Sequence, residues 1–275
     1  MKLNMICLKL HPSPLYRWGT AHGFSRNLDY LVHAATRGIF GEIGPQPYLV
    51  ERERSRVLGY TAADGEALLT ALGNVTDPDL RASFSLQKVF IRPMPSLWKC
   101  GATYTYAVRC RPEVRVSIYR VSGAGDFRLG ELRRAGLNKR DAKRRVIESD
   151  VWLHRTWTAW KEEGCAGDLC SYRKAHADGQ IPCYCDWLRA QFDGAAQVDA
   201  HVTRQLSTSI VARGGASHGG APRYSKCRSH PDVTFQGTLT VTDPDRFAYL
   251  LARGIGRCRA LGFGMLLLRR PCNPA

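Results

Sequence analysis

The stretch Pro45-Gln-Pro-Tyr-Leu-Val-Glu-Arg-Glu-Arg-Ser-Arg-Val-Leu-Gly-Tyr60 reads as a β-hairpin. Proline is tolerated at the start of a strand and not inside it, so Pro45 and Pro47 open a short strand through Tyr48, Leu49 and Val50. Arg56 to Tyr60 supplies its partner across a polar turn. On one side of the hairpin, Arg26 to Arg37 has a helical pattern, with Ser25 or Asn27 as N-cap and Gly38 at the stop. On the other side, Glu66 to Leu72 is a second helix stopped by Gly73. Further out, Lys2 to Leu10 reads as a strand that Pro12, Ser13 and Pro14 end, and Leu86 to Arg92 closes the set. The order β-α-β-β-α-β is that of the ferredoxin-like split βαβ unit.

Pro93 and Pro95 mark a boundary, which gives a first domain over 1–95 and a second over 96–275. In the second, Tyr104, Tyr106, Val108 and Cys110 alternate as a strand, and Val114, Val116 and Ile118 repeat the pattern beyond Arg111-Pro112. Phe235, Leu239 and Val241 share another strand face. A helix then opens at Thr242 or Asp243 with Pro244 at its first position and stops at Gly254, ahead of a last strand over Met265 to Leu268. The expected fold is therefore α+β: tandem ferredoxin-like (RRM-like) domains, the second interrupted by a helical insertion at about 125–198. Within the insertion, Asn138 should cap a helix that Lys139, Arg140, Lys143, Arg144 and Arg145 make strongly basic. Leu153, Trp157 and Trp160 should form the buried face of the next helix.

Charge points to the partner. The chain has 275 residues, 40 Lys+Arg against 24 Asp+Glu, and a formal net charge of +16. The excess lies in three blocks, 128–145, 204–230 and 253–270, and the rest of the chain is neutral on balance. Concentrated blocks of this kind meet polyanions, whereas an even basic coat would serve solubility. Five like charges on one helix repel, so the basic helix needs an anionic partner to account for it. The Gly-Gly pairs at 214–215 and 219–220, with Arg213, Arg223, Lys226 and Arg228, describe a basic loop that either orders on such a polyanion or simply spans the surface.

With 44% hydrophobic and 23% charged residues the chain builds a packed core and is not disordered. No apolar run approaches the roughly 20 residues of a membrane span. Lys9 and His11 interrupt the apolar start, which lacks the layout of a secretory leader, so a cytoplasmic location with its 10 cysteines reduced is expected. Cys165, Cys170, Cys183 and Cys185 offer four thiolates for zinc. Their spacings miss the C-x-x-C knuckle, and reduced structural thiols are the alternative.

Two features suit phosphate chemistry. Arg26, Tyr30, His33 and Arg37, at i, i+4, i+7 and i+11, fall on the helix face opposite Leu28, Leu31, Val32 and Ala35. Histidine or tyrosine moves a proton, and arginine holds a phosphate whose charge grows in the transition state. An ordinary polar face is the competing explanation. Gly254-Ile-Gly-Arg-Cys-Arg-Ala-Leu-Gly-Phe-Gly264 holds four glycines and two arginines, but it follows a helix and precedes a strand, the wrong order for a Walker or Rossmann loop.

The run Phe235-Gln-Gly-Thr-Leu-Thr-Val-Thr-Asp-Pro244, with the segment Gly254 to Gly264 and Met265-Leu-Leu-Leu268, resembles the C-terminal signature of CRISPR repeat-cleaving endoribonucleases of the CasE branch. Ser25-Arg-Asn-Leu-Asp-Tyr-Leu-Val-His33 is similar to that branch's first helix after a one-residue shift. The resemblance implies metal-independent cleavage of the hairpin repeat of a CRISPR precursor transcript, without a cofactor. The substrate's 2′-hydroxyl would attack the next phosphate, leaving a 2′,3′-cyclic phosphate and a 5′-hydroxyl. It also implies retention of the mature crRNA hairpin within a crRNA-guided effector complex.

On this resemblance His33 is general base or acid, Tyr30 its assistant, and Arg26 and Arg37 the phosphate clamp, with His22 in reserve. RNA would be bound by Lys139, Arg140, Lys143, Arg144, Arg145, Arg213 and Arg223, and by Gly254, Gly256, Arg257, Arg259, Gly262 and Gly264 of the C-terminal loop. The long insertion resembles the helical finger of the type IV processing enzyme, a lineage in which arginines can do the catalytic work. A non-catalytic subunit that holds guide RNA is the alternative from another class.

Overall fold

The computed structural model describes residues 2–24, 26–85, 90–127, 129–164, 167–210 and 228–269. The first half runs β1 (Asn4–Lys9), α1 (Pro12–Ala21), α2 (Leu28–Phe40), β2 (Tyr48–Glu51), β3 (Arg56–Thr61), α3 (Gly65–Gly73), α4 (Pro78–Ala82) and β4 (Phe90–Pro93). Its strands form an antiparallel sheet in the order β2-β3-β1-β4. Alternation in β1 puts Ile6 and Leu8 on the face that α2 covers with Leu31, Val32 and Ala35 and α3 with Leu68 and Leu72; all seven are buried.

The hairpin and the helix pattern are where the sequence places them, with three adjustments. Pro12 ends β1 and also begins α1, because proline at the first position of a helix loses no hydrogen bond. This helix escapes a reading that takes the prolines only as a stop. Its Gly19 lies so close to α2 that a Cβ there would sit 2.3 Å from Leu31 Cδ2. Second, α2 begins at Leu28, where the Asn27 side chain accepts from the Tyr30 N–H at 3.1 Å, so Arg26 precedes the helix. Third, α2 runs through Gly38 to Phe40. Burial of Ile39 and Phe40 outweighs the roughly 1 kcal/mol that an internal glycine costs. β4 covers the end of the expected Leu86–Arg92 strand, and residues 86–89 lie outside those described.

The rest of the chain holds β5 (Thr103–Cys110), β6 (Glu113–Val121), β7 (Gly125–Phe127), α5 (Leu129–Arg134), β8 (Ala142–Asp150), α6 (Val151–Glu162), α7 (Leu169–Ala175) and α8 (Gln180–Phe192). β9 (Ala196–Val198), β10 (His201–Ile210), β11 (Arg228–Val241), α9 (Pro244–Arg253) and β12 (Leu267–Arg269) follow. The second large sheet has the order β10-β11-β5-β12, with β9 on the end of β11. Counting β5 as first strand and β10, β11 and β12 as second to fourth, this is the order of the first sheet. The chain has tandem ferredoxin-like domains. α9 begins as its sequence requires, with Asp243 accepting from the N–H groups of Asp245 and Arg246 at 3.0 Å.

The chain forms two compact units. One comprises residues up to Arg111 and from Leu188 onward, and it contains both large sheets. The other is Pro112–Trp187, whose strands pair in the order β7-β6-β8. Here the expectation of a basic helix after Asn138 is wrong. Asn138 accepts from the Arg140 N–H at 3.0 Å but caps only a 3-10 turn, Lys139–Asp141. Lys143, Arg144 and Arg145 then lie in β8, which pairs with β6 along its full length, Val116 opposite Ile147 and Ile118 opposite Arg145. A helix would crowd like charges around one axis with only Ala142, Val146 and Ile147 to bury. A strand turns successive charges to opposite faces and suits the β-branched pair. The following helix, α6, exists, but its buried residues are Trp152 and Thr156. Leu153 is exposed, while Trp157 and Trp160 are half-buried. No helix among the described residues is long and apolar enough to cross a membrane.

Candidate functional site

Tyr30 and His33 project half-buried from α2, three residues apart and therefore on neighbouring turns of one side. The Tyr30 ring meets Phe24 edge-on at 5.9 Å, and Phe24 in turn stacks on His22 at 5.9 Å. His22 places Nδ1 2.9 Å from the Trp18 carbonyl at the end of α1. The reserve histidine thus joins the Tyr30 cluster from a different helix. Arg37 continues the Tyr30–His33 side but turns to the helix end, donating to the Gly41 carbonyl at 3.1 Å and to Glu42 Oε1 at 2.5 Å. The bond between Arg37 and Glu42, with the attraction of their charges, holds the Glu42 carboxyl below its usual range and Arg37 above its own. Arg26 is exposed and lines a hollow of about 740 Å³ with Tyr16, Arg17 and Thr20. The helical spacing that put it in line with the other three does not apply before Leu28.

The Gly254–Gly264 loop is built on left-handed backbone. Gly254, Gly256, Gly262 and Gly264 all have φ between 69° and 80°, and Cys258 has φ 57°. At Gly264 a Cβ would lie 2.2 Å from the Ile255 carbonyl oxygen, so side chains are excluded on two grounds. The Gly264 N–H donates to the Arg109 carbonyl at 2.7 Å, and Ile255 N–H donates to the Gly264 carbonyl at 2.8 Å. Arg259 donates to the Arg253 carbonyl, and burial lowers its pKa, with Arg253 adding to the effect. Arg257 is half-buried beside it in sequence.

The buried Tyr48 and the half-buried Arg109 tie this loop to α2. The Tyr48 hydroxyl lies 2.8 Å from the Ala260 carbonyl and 3.2 Å from the Asp29 carbonyl, and burial pushes its pKa well up. Arg109 pairs in two-pronged fashion with Asp232, at 2.8 and 2.6 Å, and reaches Asp29 Oδ2 with both terminal nitrogens at 3.2 Å. Its guanidinium lies 4.2 Å from the centre of the Phe263 ring. Burial works against its charge, but Asp232 and Asp29 outweigh that and raise its pKa above the ordinary arginine value. Arg52 adds a bond to Asp29 at 3.3 Å from the solvent side. A cleft of about 530 Å³ opens beside this group, lined by Leu49, Arg52, Arg109, Arg204, Leu206 and Thr234 among others.

A family model described as CRISPR associated protein matches residues 25–270. The chain belongs to this CRISPR-associated protein family. Among solved structures, Thermus thermophilus Cse3 bound to an RNA representing a pre-cleavage complex is similar to it at TM-score 0.54 and 16% identity, over 98% of this chain and 100% of that one. Cse3 bound to a 19-nucleotide RNA gives 0.54 and 17%, over 98% and 99%. Cas6e from Escherichia coli K-12 gives 0.50 and 16%, over 98% of both chains. Identities this low speak for the fold. No curated protein matches the sequence.

In this CRISPR-associated protein the remaining candidates fall in the Pro112–Trp187 unit or outside the described residues. Lys139, Arg140, Lys143, Arg144 and Arg145 are all exposed. Lys143 and Arg145 share a face of β8 with Arg120 of β6, whereas Arg144 is on the other face and donates to Ser117 Oγ at 3.1 Å. Arg213, Arg223 and Cys165 lie outside the described residues. Cys170 is exposed, and Cys183 and Cys185 are buried on α8. Two residues apart on a helix, that pair faces different sides and does not converge on one ion.

Sequence reading missed Tyr48, Arg109, Asp29 and Asp232. A signal existed: Asp29 stands between Leu28 and Val32 on the buried side of α2, and Asp232 precedes the core residues Val233 and Phe235. A carboxylate in such a position is kept only with a partner.

Proposed function

We propose that this CRISPR-associated protein binds the hairpin repeat of a CRISPR precursor transcript and cuts it, then stays with the mature crRNA in a crRNA-guided effector complex in the cytoplasm. The observation that carries this reading is the contact between α2 and the Gly254–Gly264 loop through Tyr48, which brings the Tyr30–His33 helix beside an arginine-bearing loop. A proton-transfer residue beside cationic, glycine-opened backbone is what phosphodiester cleavage needs. The fold shared with RNA-bound Cse3 supports it.

In the proposed reaction a base removes the proton of a ribose 2′-hydroxyl, and the 2′-oxygen attacks the adjoining phosphorus. The bond to the 5′-oxygen breaks, and an acid protonates that oxygen. The products are a 2′,3′-cyclic phosphate and a 5′-hydroxyl, with no metal required. His33 serves as base or acid with Tyr30 at its side, and Arg26 and Arg37 hold the phosphate. The full-length likeness of fold to Cse3 supports the CasE branch, whereas a place among type IV processing enzymes rests only on the length of the insertion.

Incubating labelled repeat RNA with the protein and a chelator tests the reading. Cutting should persist, and His33→Ala or Arg37→Ala should slow it about a hundredfold, the first through loss of a general acid or base and the second through loss of transition-state charge stabilisation, with hairpin affinity near wild type. Tight binding without any cutting would replace the enzyme by a subunit that only holds guide RNA.

A further inference from the structure

We infer that Tyr48 and Arg109 are positioning residues: they set the register between helix α2 and the Gly254–Gly264 loop on which cleavage depends. The inference rests on the proposed cleavage reading for its consequence, but its geometry is independent of it. A hydroxyl has one proton, so Tyr48 donates to one carbonyl at a time, and the 2.8 Å bond to Ala260 is the better one. The 3.2 Å approach to the Asp29 carbonyl keeps the same oxygen against the first turn of α2. Ala260 lies between Arg259 and Leu261 in the loop's single 3-10 turn. One atom therefore touches the main chain of both elements, although its ring belongs to the core of the first sheet.

Arg109 makes the same link by other means. Its carbonyl accepts from Gly264, its guanidinium covers Phe263, and its two terminal nitrogens hold Asp29 on α2. Asp232 fixes the guanidinium plane from β11 through two bonds. A planar fork does this and a lysine ammonium does not. Neither residue lies among the α2 or loop residues assigned to RNA. Both act on where those residues stand, and a misplacement of 1 Å in such an arrangement costs about a hundredfold in rate.

Tyr48→Phe keeps the buried ring and removes only the hydroxyl, and Arg109→Lys keeps the charge and removes the fork. Each full-length variant is to be measured for single-turnover cleavage of a repeat hairpin, hairpin affinity, and amide hydrogen exchange. Both should cut roughly ten to a hundredfold more slowly at saturating protein, with affinity changed less than about threefold. Exchange at amides 255–264 should quicken at least about tenfold while β1 and β3 stay protected. Unchanged cutting by both variants overturns the inference, as does quickened exchange throughout β1 and β3, which marks ordinary destabilisation. If the wild type itself does not cut, the proposed function fails separately, and loop exchange alone decides: unchanged in both variants, the positioning role is wrong.

Discussion

Arg37 illustrates how much of the site is visible in single residues. Its spacing from His33 identifies the correct side of α2, but a local pattern cannot show that Glu42 lies within reach of its guanidinium. The ion pair forms because the chain turns back at Gly41, φ 56°, and carries Glu42 toward the helix end. An arginine engaged this way must exchange a carboxylate for a phosphate before it can clamp one. Glu42→Gln should therefore strengthen hairpin binding by up to about fivefold, the scale of an exposed ion pair, measured as Kd at low salt. Equal or weaker binding would argue that Arg37 caps the helix and nothing more. Asp29 and Arg109 represent the opposite case. They are far apart in sequence, and their pairing arises only once two sheets are built.

At the level of elements, α2 and α9 follow from hydrophobic periodicity, since each buries one well-marked face, and the β2–β3 hairpin follows from the prolines that open it; all three lie close to their observed limits. It failed at Lys139–Asp150, where the cap residue is real but the turn it caps is one turn long. The strand that follows divides the basic residues. Replacing Lys143 and Arg145, which share the Arg120 face, should reduce the slope of log affinity against log salt by roughly one to two. Replacing Arg144 alone should leave the slope nearly unaltered. Equal effects from the two would mean that the unit meets RNA on both faces.

Asp150, at the junction of β8 and α6, offers a second test. It accepts from Trp152 and Leu153 N–H groups and from the Tyr184 hydroxyl. Burial nevertheless raises its pKa, with nearby Glu113 adding to the effect. A raised carboxyl binds its proton more tightly in the folded chain than in the unfolded one. Its contribution is fully present below the ordinary value of about 4 and is lost as pH rises through the higher folded value. Asp150→Asn keeps an acceptor for the cap and removes the titration. Thermal melts across this range should show the wild type losing ground to the variant as pH increases. A constant difference would show that this group does not titrate in the way burial dictates.

For the whole molecule, the basic blocks and the proposed catalytic helix are separate in sequence and meet only where the Gly254–Gly264 loop comes against α2. The three basic blocks account for the net +16, yet α2 and its tyrosine and histidine lie outside all of them. A hairpin that engages the blocks stabilises the folded chain by mass action. At a hundred times its Kd it should add about 2.7 kcal/mol, read as a rise in melting temperature that high salt abolishes. A rise that survives high salt would contradict binding through charge.

The two sheets also share one strand order, and the chain departs from the bare ferredoxin-like plan at the same joint in each copy. In the first copy α1 is added between the opening strand and its crossover helix. In the second, the part of the Pro112–Trp187 unit up to Gly179 enters between β5 and α8, whose first eight residues belong to the unit as well. Both copies thus accept extra chain at the same joint, a short helix in one and a folded module in the other. For protein engineering, the connection between β1 and α2, extended at the exposed His22–Gly23 end of α1, is the matching place to graft a foreign RNA-gripping element.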